Sequence, residues 1–490
     1  MTTLTAAGTQ HWRFVLPLAV LLGISAGGPV SAEQVAPTTA KLNAGEWHAR
    51  IDLPDLSQYG VRTTLWVRAN GRGRFDADSR SGAIGDAYGF WSSAWLKISS
   101  SKARRGAWLH IKSGKQHGDG RLTGTLSSMF TVDLALACEA VSGGFDCLLH
   151  HPGRRTGKLS LRRVAPDGWL RGGYDQLRSN IENQLQENLF QPSVLRSSKW
   201  GSFLGRFEAA LESAHDDLDV LAAWYRVAGS APVSHLALMR GSPVQLRPQT
   251  GADDLEVALA AAVQLEWRDE VAVLRIKTFG LGVEAMRERL RQLFKVIVER
   301  PAKALVIDLR GNKGGNFSSM FVAAHLSSTP TPAGYFVGNL WWRKHDSAPE
   351  YQTAANVLPR FDQPSMNLFV QTMRESGGLY GVVVPLQPRF DGPVYMLSDR
   401  RSASATEPLL YHLQRTGRAV VVGQATAGAM LSSDVVELGD GWSLMLPVAD
   451  YYAADGVRLE SRGVIPDVAV PADQALARAQ ELAEQVVRQD

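Results

Sequence analysis

The stretch Ser402-Ala403-Ser404-Ala405-Thr406-Glu407-Pro408 holds the side chain best placed for covalent chemistry. It follows the apolar run Pro393-Val394-Tyr395-Met396-Leu397 and precedes a helical pattern. A serine ringed by small residues at such a junction keeps its hydroxyl exposed at a helix N-terminus. There the helix dipole and the unpaired N–H groups favour an anionic intermediate, as a nucleophilic serine requires. Ser404-x-x-Glu407 also fits a capping box. Pro408 counts against that reading, because a proline there removes the first helical hydrogen bond and moves the predicted helix start to about Thr406. Ser404 then sits on the turn ahead of the helix, and Glu407 reads as a structural partner of its own loop.

A second loop, Asp308-Leu309-Arg310-Gly311-Asn312-Lys313-Gly314-Gly315-Asn316, ends the strand pattern that starts at Ala304. Its glycines allow close backbone approach and free N–H groups to point inward. Half of an oxyanion hole is the functional reading; an ordinary strand-to-helix turn is the structural one, and the commoner for a bare glycine-rich loop. It is not a phosphate loop, since no Gly-Lys-Ser/Thr closes it. A base must also reach the serine. His412 lies eight positions along the helix, about 12 Å away at 1.5 Å per residue, which is too far. His325, in the helix after the glycine loop, remains in contention.

Together these loops resemble the C-terminal-processing serine peptidases. An Asp-Leu-Arg-x-Asn-x-Gly-Gly turn is followed about 90 residues later by Ser-Ala-Ser-Ala-Thr-Glu, in the order that family uses. Residues 416–428 and the closing segment Glu460-Ser461-Arg462-Gly463-Val464-Ile465-Pro466-Asp467 extend the likeness, which covers residues 205 to 490. Ala429 stands where Ser-Lys members carry their lysine, and the interval between His235 and Val271 is too short for an inserted PDZ module. A tricorn-like and interphotoreceptor retinoid-binding protein-like branch uses histidine instead. By that resemblance His235 is the general base, Ser234 and Glu460 support it, and the N–H groups of Gly314 or Gly315 and of Ala405 form the oxyanion hole. The implied activity is peptide-bond hydrolysis through an acyl-enzyme on Ser404, with no cofactor. A catalytically silent ligand-binding protein on the same fold and a serine esterase are the alternatives.

The elements that must position these residues form a predicted series. Residues 1–32 read as an export signal: Arg13, the apolar run from Phe14 to Leu22, then Val30-Ser31-Ala32 as a cleavage site. The run is too short and too interrupted by Pro17 to cross a bilayer, so the expectation is an exported chain, periplasmic or extracellular, with no integral membrane association after cleavage. Residues 33–170 carry alternating runs such as Thr63–Arg68, Ala94–Ile98 and Ala107–Ile111, the rhythm of a β-rich meander, sandwich or barrel. Within it Cys138 and Cys147 flank a Gly143-Gly144 turn signal. That spacing suits a disulfide across a hairpin, with two reduced buried thiols as the alternative. Residues 171–240 turn helical, with Leu204, Phe207, Leu211, Leu218, Leu221, Ala222 and Tyr225 at helical spacing, and end at the candidate base. Residues 241–490 alternate strand and helix, predicting an α/β core with a mixed, partly parallel sheet.

Charge narrows the partners. With 52 basic against 48 acidic residues and no long basic run, nucleic acid is not expected; a peptide or protein substrate is what the family resemblance implies. No metal-ligand spacing stands out. Oligomeric state is not legible.

Overall fold

The computed structural model describes residues 41–487 apart from 57, 71, 80–108, 129–131, 154, 164–173, 213, 244–251 and 301. The export signal expected over 1–32 and the strand expected at 94–98 lie outside the described residues.

Eight strands open the fold: β1 (Gly45–Leu53), β2 (Gln58–Ala69), β3 (Arg74–Ser79), β4 (Leu109–Gln116), β5 (Leu122–Ser128), β6 (Leu134–Val141), β7 (Gly144–His150) and β8 (Gly157–Arg162). Each pairs antiparallel with the next, and β8 returns to β1, so the sheet closes into a barrel. Period-two alternation sorts the barrel's two faces: Leu134, Leu136 and Cys138 point inward while Ala135, Ala137 and Glu139 face out. Cys138 and Cys147 stand opposite each other across β6 and β7 and are joined by a disulfide.

Three helices follow: α1 (Asp175–Asn188), α2 (Ser198–Leu211) and α3 (Asp217–Ala228). Phe203, Phe207 and Leu211 recur at helical spacing on α2 and are buried, as are Leu218, Leu221 and Trp224 on α3. Trp224 takes Phe203 and Phe207 edge-on, with centroids 5.7 and 5.0 Å away, a geometry that aromatic quadrupoles favour. The same hydrophobic core runs from the barrel through this cluster to Leu431, Trp442, Leu444 and Leu446 in the C-terminal half.

Two sheets make up that half. The first holds β10 (Val263–Arg268), β11 (Val271–Ile276), β12 (Ala304–Asp308), β16 (Val394–Ser398), β17 (Val420–Gly423) and β20 (Val468–Ala469), in that order. All but β10 run parallel. Parallel strands are covered on both faces and so read as unbroken apolar runs; β12 and β16 are buried along their whole length. One face carries α5 (Val283–Glu299), which follows α4 (Ala252–Ala262), together with α6 (Ser319–Ala324) and α8 (Thr406–Arg415). The other carries α9 (Ala475–Val487), through Ala475, Ala479 and Ala483. The second sheet orders β14 (Arg360–Phe361), β15 (Gly378–Val383), β13 (Thr331–Gly338), β19 (Trp442–Tyr452) and β18 (Ser432–Gly439), with β9 (Ala237–Arg240) paired to β19. Helix α7 (Met366–Ser376) leads into β15. The fold is therefore the expected mixed α/β core behind a β-rich unit. The second, largely antiparallel sheet went unread in the sequence.

Phe207 is fully enclosed by the aromatic cluster. Phe207→Ala is expected to cost about 3–5 kcal/mol through the cavity it leaves, measured as a lower denaturant midpoint.

Candidate active site

Strands β12 and β16 are parallel neighbours, so the loops at their carboxyl ends meet, where function gathers in open α/β sheets. Backbone and side-chain bonds lace them together. Ala403 N donates to Asn312 O at 3.0 Å, Ser402 Oγ to Leu309 O at 2.9 Å, and Gly311 N to Asp399 Oδ1 at 2.9 Å. The glycine loop must be glycine for two reasons. Gly314 has φ +87°, and a Cβ there would lie 2.6 Å from Ser404 Cβ; at Gly315 it would lie 2.2 Å from Gly280 N. Helix α8 begins at Thr406, so Ser404 sits on the turn ahead of it with φ +54°. A left-handed non-glycine residue costs about 1–3 kcal/mol and persists only where its surroundings over-determine it.

Glu407 supplies that determination. Its buried carboxylate accepts from Ser404 N at 3.0 Å, Thr426 Oγ1 at 2.5 Å, Gly428 N at 2.7 Å and Ala429 N at 3.0 Å. Burial pushes its carboxyl above the usual range, against the pull of those donors. Ala429, in the position where a dyad lysine is expected, contributes only backbone: its carbonyl accepts Ser404 N at 2.9 Å.

The histidine arrives from another part of the chain. Ser234 and His235 lie in the turn between α3 and β9, and His235 has φ +57°. Its Nε2 is 3.2 Å from Ser404 Oγ and its Nδ1 is 2.8 Å from Ser234 Oγ. Ser234 Oγ donates to Glu460 Oε2 at 3.0 Å, Ser234 N to Glu460 Oε1 at 3.0 Å, and Met430 N to Glu460 Oε2 at 2.7 Å. Glu460 can only accept, so the single Ser234 hydroxyl proton is committed to it. Nδ1 must then carry the imidazole proton and donate to Ser234 Oγ. That tautomer leaves the Nε2 lone pair facing the Ser404 hydroxyl. Burial pushes the imidazole below its ordinary value, and the charge of Glu460 opposes the shift.

The structure thus brings Ser404, His235, Ser234 and Glu460 into one hydrogen-bonded chain. The oxyanion candidates need one correction. Gly314 N is committed to Asn312 Oδ1 at 2.8 Å, so it is not an available donor. Gly315 N and Ala405 N find no acceptor among the described residues, and both residues line the cavity beside Ser404. Asn312, fully buried and tied by Nδ2 to Ile276 O at 3.0 Å, shapes this loop and was missed by sequence reasoning; its place two residues before the first paired glycine was the available signal. His325 is no rival base. It stacks on Phe294 in the core, with Nδ1 2.7 Å from Pro388 O. His412 lies deeper along α8, 3.3 Å from Thr331 Oγ1, and burial pushes it down to about 4.

The cavity holds about 320 Å3 and is walled by Phe317, Phe336, Phe361, Met320, Leu409 and Tyr451. Lys313 lies at its rim, and among the described residues no carboxylate lines it.

Residues 270–470, from the start of β11 past β20, match peptidase family S41. The match spans about two-fifths of this chain. Two curated relatives are a carboxyl-terminal-processing protease from Picosynechococcus sp., 28% identical over 41% of this chain and 40% of its own length, and a chloroplastic C-terminal processing peptidase from Tetradesmus obliquus, 26% identical over 46% and 40%. The chain spans about two-fifths of the length of these relatives. The crystal structure of the tricorn protease superposes with a TM-score of 0.39 at 12% identity, over 78% of this chain and 45% of that one. Ser404 and Glu460 fall inside the S41 match; Ser234 and His235 precede it.

Because burial depresses His235, the imidazole is neutral in the fold at neutral pH. The stability this contributes is present above the unfolded value of 6.5 and is lost as pH falls from there through the folded value. By NMR, His235 is expected to titrate below 6.5, and Glu460→Gln is expected to lower it further by removing the opposing charge. A value at or above 6.5, or an upward shift in the variant, contradicts this electrostatic account.

Proposed function

We propose that the protein is an exported serine peptidase that hydrolyses peptide bonds through an acyl-enzyme. The unbroken chain Ser404–His235–Ser234–Glu460 carries this reading. Ser404 Oγ attacks the scissile carbonyl as His235 Nε2 takes its proton, and the charge gained by the imidazole is balanced by Glu460 through Ser234. The tetrahedral oxygen rests on Gly315 N–H and Ala405 N–H, the latter at the N-terminus of α8. His235 then returns its proton to the leaving amine, and water releases the acyl group by the same steps in reverse.

The S41 match over residues 270–470 and the relatives' names support a peptide or protein as substrate. The aromatic and aliphatic walls of the cavity suit an apolar side chain beside the scissile bond. Export is supported by the signal pattern of residues 1–32 and by the Cys138–Cys147 disulfide, which suits an oxidising compartment.

A fluorophosphonate probe tests the reading. Wild-type protein is expected to label on Ser404, Ser404→Ala to lose labelling, and His235→Ala to label about 10²–10⁴-fold more slowly. The rate should rise with pH through the depressed His235 titration, below 6.5, and then level, because only the neutral imidazole accepts the proton. A folded wild-type protein that does not label supports the ligand-binding alternative, and ester but not peptide turnover supports the esterase.

A further inference from the structure

We propose that the N-terminal barrel is a working part of this active site: through Gln58, Arg62 and Thr63 it holds the segment carrying His235 in the conformation that reaches Ser404. The proposal rests on the peptidase reading above.

The segment runs from Asp217, at the start of α3, to Arg240, at the end of β9. Its two ends are bonded to each other and to one barrel strand. The Asp217 carboxylate is fully buried and accepts from Arg240 Nε at 2.8 Å and from Tyr174 Oη at 3.2 Å. It also accepts from Arg62 N at 2.9 Å, Arg62 Nε at 3.0 Å and Arg62 Nη2 at 3.2 Å. On either side, Thr63 Oγ1 donates to Asp216 Oδ2 at 2.6 Å, and Arg240 N donates to Gln58 Oε1 at 2.8 Å. Arg240 further stacks over Trp442, 5.2 Å from its centroid, in the strand that pairs with β9. β2 therefore buckles a closed loop of chain on which Ser234 and His235 ride.

The buckle bears on chemistry because of where His235 sits. Its left-handed backbone relaxes unless both flanks are restrained. Glu460 restrains the Ser234 side. On the other side only Leu236 separates His235 from β9, whose far end is the buckled Arg240. Buried charges with several donors make a rigid joint, and removing one partner loosens it. Arg62→Met takes away two of these contacts and leaves the Arg62 N–H, Arg240 and Tyr174 in place, so the carboxylate keeps partners and the chain can fold. Gln58→Leu removes the barrel's acceptor for Arg240 N on β9, together with its side-chain hydrogen bond to Tyr225 on α3.

The test uses the full chain and the fluorophosphonate probe, with labelling measured well below each variant's melting temperature. Leu149→Ala, a buried barrel residue on β7 outside the buckle, serves as a comparator of equal or greater destabilisation. Arg62→Met and Gln58→Leu are expected to label to the same final stoichiometry as wild type, but about tenfold more slowly. The pH midpoint of their labelling should rise toward the ordinary histidine value as His235 becomes better hydrated. Arg62→Lys should recover part of the rate, and Leu149→Ala should keep both rate and midpoint. Unchanged rate and midpoint in Arg62→Met, or equal loss in Leu149→Ala, overturns the proposal and leaves the barrel a structural support. A wild-type chain that fails to label overturns the peptidase reading, and this inference with it.

Discussion

Glu460 is the joint on which the site depends. Its carboxylate is almost wholly buried and accepts from Ser234 N, Ser234 Oγ and Met430 N. A buried charge is tolerated only when its lone pairs are met, and leaving it unmet is expensive. That requirement draws two distant stretches of chain to one point: the turn before β9, which carries the histidine, and the segment after β17, which runs beside the serine loop. It also settles the proton inventory. With the Ser234 hydroxyl committed to Glu460, only one imidazole tautomer satisfies the remaining contacts, and it presents a lone pair to Ser404.

A second carboxylate does for the serine what Glu460 does for the histidine. Glu407 gathers backbone N–H groups from residues 404, 428 and 429 and the hydroxyl of Thr426. Ser404 and His235 both hold left-handed backbones, and each lies directly against one of these acceptors or its immediate partner. Local strain at Ser404 and His235 is thus offset by charge-assisted hydrogen bonds around them. At residue 429 an alanine backbone closes the serine loop, and the histidine that faces Ser404 comes from outside the S41 match.

The barrel, helices and second sheet share one core, so the upstream residues are not a loosely tethered addition. Trp442 and Leu444, in the strand that pairs with β9, belong to the same packed cluster as the barrel interior and the aromatic helices. Coupling between the barrel and the histidine segment follows from that continuity together with the ionic contacts around Asp217.

Much of the candidate site was legible in the residues themselves. Parallel strands announced themselves as apolar runs because they are covered on both faces. Small residues around Ser404 and paired glycines at 314 and 315 marked the loops, because only such residues permit that closeness of backbone. Pro408 correctly moved the helix start to Thr406, since its ring cannot donate within the first turn. His235 could be named only through family resemblance, and neither the second sheet nor the aromatic walls of the cavity was visible, because those residues are far apart in the chain and carry no local period. Sequence could not separate Gly314 from Gly315 either. That choice depends on the Asn312 side chain occupying one N–H, a fact of tertiary geometry. The sequence by itself determined the elements and the chemically able residues, since propensity and side-chain type are local. Which of those residues meet, which tautomer results and which N–H groups stay free were decided by the tertiary structure, because each depends on satisfying buried charges with donors drawn from remote segments.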